Sequence, residues 1–252
     1  MSKKYLMVIA NYPDYRQEFF ETYMSPRNKE YCQVHGYEYL EYVGPYKPFR
    51  DHPTWWKFTI VKDLIDSGTL KDGDILTHID ADMCIYDLNV SYPTNKSFTY
   101  CIDSGNTHCM GSYSIRLNEW SRNMINLILD DNRYENLKDK ITLHEYFGHY
   151  DSFWNIFREQ ASWYSLAGIK RHSNIPFYNL SHYGWHSYKD EWTVYSLDEL
   201  YQHVEILPTC WNVTEMPGES GCQFNINNVE RKDVIIRHFA GGQPWRKEWF
   251  DK

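Results

Sequence analysis

Within its first eighty residues the chain alternates short apolar runs with stretches of helical period, and this alternation limits the fold more than any other feature. Lys4–Ala10 (KYLMVIA) reads as a buried strand that ends at Asn11-Tyr12-Pro13. Gln17–His35 follows with Phe19, Phe20, Tyr23, Tyr31 and Val34 on one helical face, and Pro26 marks a kink or restart. Gly36 stops that helix, and Tyr37–Tyr42 reads as a second strand. Thr54 is placed to cap a helix carrying Trp55, Phe58, Val61, Leu64 and Ile65, which Gly68 ends. Ile75–Ile79 is the third strand. Such a βαβα order predicts an α/β fold, with a mostly parallel central sheet flanked by helices and right-handed crossovers. Ligands of such sheets lie outside the carboxyl ends of the strands. Asn11-Tyr12 and Asp80-Ala81-Asp82 both fall at such ends.

Beyond residue 96 the pattern is mixed. Phe98–Ile102 and Gly111–Ile115 are strand candidates. Glu119–Leu129 is a helix with Trp120, Met124, Leu127 and Ile128 inward, and Asp151 or Ser152 is placed to cap a helix running to Leu166. Residues 171–230 lack periodicity and are expected to be loops and short strands. Val234–His238 is a last apolar strand before Ala240-Gly241-Gly242. No linker composition divides the 252 residues. One domain is expected, with residues 1–95 as its first half and 96–252 as its second.

The formal net charge of −8 argues against nonspecific nucleic-acid binding, which needs a basic surface. A single nucleotide remains compatible, because a bound cation can supply positive charge locally. No apolar run approaches the roughly 20 residues that span a bilayer, and the N-terminal apolar stretch is too short for a signal-peptide core. The six cysteines form no CxxC pair. A cytosol-like compartment with reduced thiols is therefore expected, where the sequons at Asn95, Asn179 and Asn212 mean little.

Two segments carry the chemistry. Asp80-Ala81-Asp82 ends a buried strand, where two carboxylates are costly unless something positive binds them. Hard cations such as Mn²⁺ and Mg²⁺ prefer oxygen ligands and bridge carboxylates to phosphates. Far along the chain, His238 ends an apolar strand and is followed by Gly241-Gly242-Gln243. It suits a third metal ligand, with glycines that let backbone N–H groups approach a phosphate, although by itself an ordinary hydrogen-bonded His before a turn is the better reading. Two other histidine groups are set aside. In His144-Glu145-Tyr146-Phe147-Gly148-His149 the spacing is five, so the imidazoles would diverge on a helix. His182 and His186 have Gly184 between them, and a polar loop near the acceptor is expected instead.

Several collinear segments resemble the retaining α-galactosyl-, mannosyl- and xylosyltransferases of fungi and plants, glycosyltransferase family thirty-four. They are SPRNKEYCQVHGYEYLEY, WWKFTIVKDLI, HIDADMCIYD, CMGSYSIRLNEWSRNMINLIL, REQASWYSLAG and HFAGGQPW, which together span about residue 5 to 245. Cys109-Met110 and Gly242 depart from the family pattern, and no apolar run in these residues corresponds to the family's Golgi anchor. The resemblance implies a GT-A (Rossmann-like) fold and metal-dependent transfer of a sugar from a nucleotide-diphosphate sugar to a hydroxyl of a glycan or glycoprotein acceptor, with retention. It implies that Asp80, Asp82 and His238 hold the Mn²⁺ or Mg²⁺. Ala10, Asn11, Tyr12, Arg16, Lys57, Ala81, Gly241, Gly242 and Gln243 would surround the nucleotide, and Asp103, Glu159 and Gln160 the sugar. The residues by themselves leave other readings open. Lys57 reads equally as a solvated charge, and Glu159 as a local partner. Two rival functions are a non-catalytic carbohydrate-binding protein on such a scaffold and an aspartate-nucleophile phosphatase.

Overall fold

Strand β1 (Lys4–Ala10) alternates between two cores. Tyr5 and Met7 enter one, while Leu6, Val8 and Ala10 enter the other. A strand covered on both faces belongs inside a parallel sheet, and β1 lies between β2 (Glu38–Val43) and β3 (Ile75–Ile79), parallel to both. The structure is a computed structural model that describes residues 2–10, 14–44, 49–50, 53–102, 108–138, 158–169, 185, 191–214 and 229–239, with backbone alone for 14–16, 214 and 231.

Among the described residues the central sheet has six strands in the order β2-β1-β3-β6-β5-β7. Its second half is built from β5 (Phe98–Ile102), β6 (His108–Arg116) and β7 (Val204–Leu207). β6 is antiparallel to both neighbours, β3 and β5, whereas β5 and β7 are parallel. The chain between β5 and β6 is too short for a crossover, so consecutive strands there must turn back on each other. One strand therefore runs against the common direction, and the sheet is mostly parallel. A second sheet, β4-β9-β8, joins β4 (Met83–Ile85), β8 (Val213–Thr214) and β9 (Ile236–His238).

Helices cover both faces. The first crossover runs through α1 (Asp14–Phe19), a π-helical turn (Phe20–Met24) and α2 (Ser25–His35). The expected restart occurs at Ser25-Pro26, where Pro falls in the first turn and its missing N–H costs nothing. Gly36 closes α2 at φ +70°, a conformation that only glycine adopts without strain. Helix α3 (Trp56–Asp66) is preceded by a 3₁₀ turn, Pro53–Trp55. The expected Thr54 cap is corrected: the helical path already begins at Pro53, and Trp55 holds the N-cap position with no side-chain cap bond.

Helix α4 (Glu119–Leu129) carries a reciprocal cap, with Asn118 accepting from the Ser121 N–H and Ser121 accepting from the Asn118 N–H. Such a cap contributes about 1 kcal/mol. Its buried residues are Ser121, Met124, Ile125 and Ile128, while Trp120 and Leu127 pack at the margin. α5 (Asp131–Leu137), α6 (Glu159–Ala167) and α7 (Leu197–His203) complete the described helices. In the stretch expected to hold loops and short strands, β7 is such a short strand and α7 is a helix that was not expected. No helix among the described residues is long and apolar enough to cross a membrane.

Candidate functional site

Parallel pairing sets Met7 of β1 opposite His78 of β3, so the carboxyl ends of both strands open onto one edge of the sheet. Ala10 ends β1 and is buried. Asp80 begins a turn just past β3. Its N–H donates to the Gly111 carbonyl (2.7 Å), and its carbonyl accepts from the Met83 N–H (2.9 Å). The turn carries Asp80-Ala81-Asp82 out of the central sheet into β4. Antiparallel pairing of β4 with β9 then sets Met83 opposite His238, and the Phe239 N–H donates to the Asp82 carbonyl (2.8 Å). The Nε2 of His238 consequently lies 3.5 Å from Asp82 Oδ2.

Lys57 is buried in the first turn of α3, which corrects its reading as a solvated charge. Its Nζ is 2.9 Å from Asp80 Oδ1 and 3.5 Å from Glu159 Oε1, and it donates to the Met110 carbonyl at 3.2 Å. A buried ammonium is tolerated only when paired in this way. Burial pulls the Lys57 pKa down, but Asp80 and Glu159 outweigh it and the net shift is upward. For Asp80, burial acts upward and is outweighed by Lys57 and His78, which hold the carboxyl below the usual range. His78 is fully buried, and burial lowers its pKa despite Asp80. The neutral ring donates from Nε2 to Asp80 Oδ1 at 2.9 Å.

Helix α6 approaches the same edge. Gln160 Oε1 accepts from the Met110 N–H (3.3 Å), and its Nε2 donates to the Tyr164 hydroxyl (2.9 Å). That hydroxyl donates in turn to the His108 carbonyl. Glu159 is 3% exposed, and its Oε2 has no hydrogen-bond partner among the described residues. Gly111 faces the turn: a Cβ there would lie 2.6 Å from Met83 Cε and 2.9 Å from Asp80 Oδ2.

The fold thus brings Lys57, Asp80, Asp82, Glu159, Gln160 and His238 to one edge, with Ala10 and the buried Ala81 beside them. Asn11, Tyr12, Asp103, Gly241, Gly242, Gln243 and the side chain of Arg16 lie outside the described residues, as do residues 144–149, His182 and His186. Among the described residues, no three His, Cys, Asp or Glu side chains close on a single point. Asp80 turns toward Lys57 and His78, whereas Asp82 faces His238. Two carboxylates and one imidazole remain a donor set suited to a divalent cation such as Mn²⁺.

Neither a family model nor a curated protein sequence matches the chain. Among solved structures it is similar to a glycosyltransferase involved in the glycosylation of the major capsid of PBCV-1, at 10% identity and TM-score 0.49, covering 95% of this chain and 94% of that one. It is also similar to the galactosyltransferase LgtC in complex with donor and acceptor sugar analogs, at 13% identity and TM-score 0.45, covering 97% and 90%. A third is the glycosyltransferase GlyE of Streptococcus pneumoniae TIGR4, at 12% identity and TM-score 0.43, covering 98% of this chain and 57% of that one.

Two residues of the site escaped the sequence reading. His78 stands two positions before Asp80, and side chains two apart in a strand share a face. A polar residue inside the apolar run ILTHI was the available signal. Asn212 accepts from His238 Nδ1 at 2.9 Å. Nothing local in the sequence marks it, because the contact depends on β8 and β9 pairing.

Proposed function

We propose that the chain is a metal-dependent glycosyltransferase of the GT-A class, moving a sugar from a nucleotide-diphosphate sugar to a hydroxyl of a glycan acceptor with retention. The observation that carries this reading is the meeting of His238 with Asp82 at the strand end that also presents Asp80. These three residues would hold the divalent cation, which when bound acts as a Lewis acid on the departing diphosphate. Lys57 keeps Asp80 ionised and fixed in direction. Ala81 would leave room beside the turn for the donor, and Ala10, Asn11, Tyr12 and Arg16 are assigned to the nucleotide. Gly241, Gly242 and Gln243 are assigned to the diphosphate.

Glu159 and Gln160 are assigned to the transferred sugar, together with Asp103. The unsatisfied Glu159 Oε2 supports that role, since a buried carboxylate oxygen without a donor is costly until a ligand supplies one. Positive charge that develops on the sugar would be steadied by the Glu159 carboxylate and the Gln160 carbonyl.

Isothermal titration of uridine and guanosine diphosphates tests the reading, with Mn²⁺ and with chelator. Binding is expected to be much tighter with the metal, and equal affinity in both conditions would remove Asp80, Asp82 and His238 from a metal site. Transfer or hydrolysis of a radiolabelled nucleotide sugar then separates an enzyme from a carbohydrate-binding protein.

A further inference from the structure

We propose that Asn212 is a positioning residue for His238, whose side-chain carbonyl fixes the imidazole so that Nε2 is the nitrogen offered to a divalent cation. The inference rests on the reading of His238 as a metal ligand. Asn212 is fully buried, and its Oδ1 lies 2.9 Å from His238 Nδ1. A carboxamide oxygen can only accept, so Nδ1 must carry the proton. A neutral imidazole has one N–H, which leaves Nε2 with its lone pair. Nε2 is the atom that faces Asp82 Oδ2 at 3.5 Å. The hydrogen bond on one ring nitrogen thus selects the nitrogen that points toward the aspartates.

The backbone holds this pair in place. The Asn212 N–H donates to the Thr209 carbonyl (2.8 Å) and closes the 3₁₀ turn Thr209–Trp211. The Ile235 N–H donates to the Cys210 carbonyl (2.8 Å), and Val213 then pairs with Arg237. Asn212 therefore stands just before β8 and His238 at the end of the neighbouring strand β9, and neither has to move to meet the other. Asn212 also leaves its Nδ2 buried without a partner among the described residues.

The test uses the full chain, Mn²⁺ alone as the probe, and the variants Asn212→Ala, Asn212→Leu, Asn212→Asp and His238→Ala, with melting temperature measured for each. Bound Mn²⁺ is read by electron paramagnetic resonance. Asn212→Ala and Asn212→Leu are expected to weaken Mn²⁺ binding by about 10- to 100-fold. Asn212→Asp keeps an acceptor at the same place and is expected to stay within about 3-fold of wild type, which a packing role would not single out. Nitrogen chemical shifts of the metal-free wild type should report the Nδ1-protonated tautomer of His238. Wild-type affinity in a folded Asn212→Ala or Asn212→Leu, or an Nε2-protonated ring in the wild type, overturns the proposal. Mn²⁺ binding that His238→Ala leaves unchanged overturns instead the assignment of His238 as a ligand, and the role of Asn212 with it.

Discussion

Glu159 lies 3.5 Å from Lys57, so a single buried ammonium joins the two halves of the chain at the end of the sheet. The same Nζ is 2.9 Å from Asp80 Oδ1. Replacing Lys57 would leave Glu159 buried without its ammonium partner and remove the main attraction acting on Asp80.

Lys57→Met is therefore expected to destabilise the fold by about 3 kcal/mol in urea unfolding, the low end for breaking a buried pair because Asp80 is partly exposed. Acid titration supplies a second readout. Asp80 has its pKa below the ordinary range in the folded state, so it contributes stability above the unfolded value of about 3.9. That contribution is lost as pH falls through the folded value. Lys57→Met should flatten the acid limb of the stability curve below about pH 4, and an unchanged limb would mean that the pair does not govern Asp80.

Asp82→Asn is expected to fold like wild type, with a stability change within about 0.5 kcal/mol, because it creates no cavity at a part-exposed position. Transfer activity should fall on the order of 100-fold or more. Paired melting curves and rate measurements check this. A folded variant with near-normal turnover would make the carboxylate structural.

Gln160→Ala separates sugar from nucleotide. It removes two hydrogen bonds, to the Met110 N–H and the Tyr164 hydroxyl, and should cost about 2 kcal/mol of stability. Affinity for the nucleoside diphosphate is expected to stay within about 3-fold while turnover falls on the order of 100-fold, as for a group that acts mainly in the transition state. Loss of diphosphate binding in the folded variant would move α6 away from the sugar.

Gly111→Ala probes the turn without removing a polar group. The added methyl would meet Met83 Cε at 2.6 Å and Asp80 Oδ2 at 2.9 Å. The flexible Met83 can give way, so the stability cost should be about 1–3 kcal/mol. The carboxylate must turn aside as well. Mn²⁺-dependent diphosphate binding is expected to weaken by about 10-fold or more, since the methyl displaces a proposed ligand. Unaltered binding would show that the direction of Asp80 is not critical.

The sequence told most where local signals and burial agreed. β1 and β3 were legible because their apolar runs are bounded by Asn-Tyr-Pro and by an aspartate turn. The convergence of His238 with Asp82 was expected from the family resemblance, since the strand end alone reads as a place for an ordinary hydrogen-bonded His. Less legible was whatever depends on distant partners. Nothing near Lys57 distinguishes a buried ammonium from a solvated one, since Asp80, Glu159 and the Met110 carbonyl arrive from three other elements. β7 is only four residues long, and its place at the sheet edge follows from pairing with β5. Asn212 looked like an unused sequon, because the strand pairing that brings it to His238 leaves no periodic trace.

The reversed strand β6 serves the edge chiefly through its main chain. The Met110 carbonyl accepts from Lys57, the Met110 N–H donates to Gln160, and the Gly111 carbonyl accepts from the Asp80 N–H. Peptide groups are the same whatever residue carries them. Cys109, part-exposed beside these anchors, adds a side-chain contact of its own, its sulfur accepting from the Gly111 N–H at 3.4 Å, so exchanging it would alter that contact and leave these main-chain bonds in place. A scaffold wired in this way keeps the peptide contacts that hold Asp80 and Lys57 when the side chain at position 109 varies.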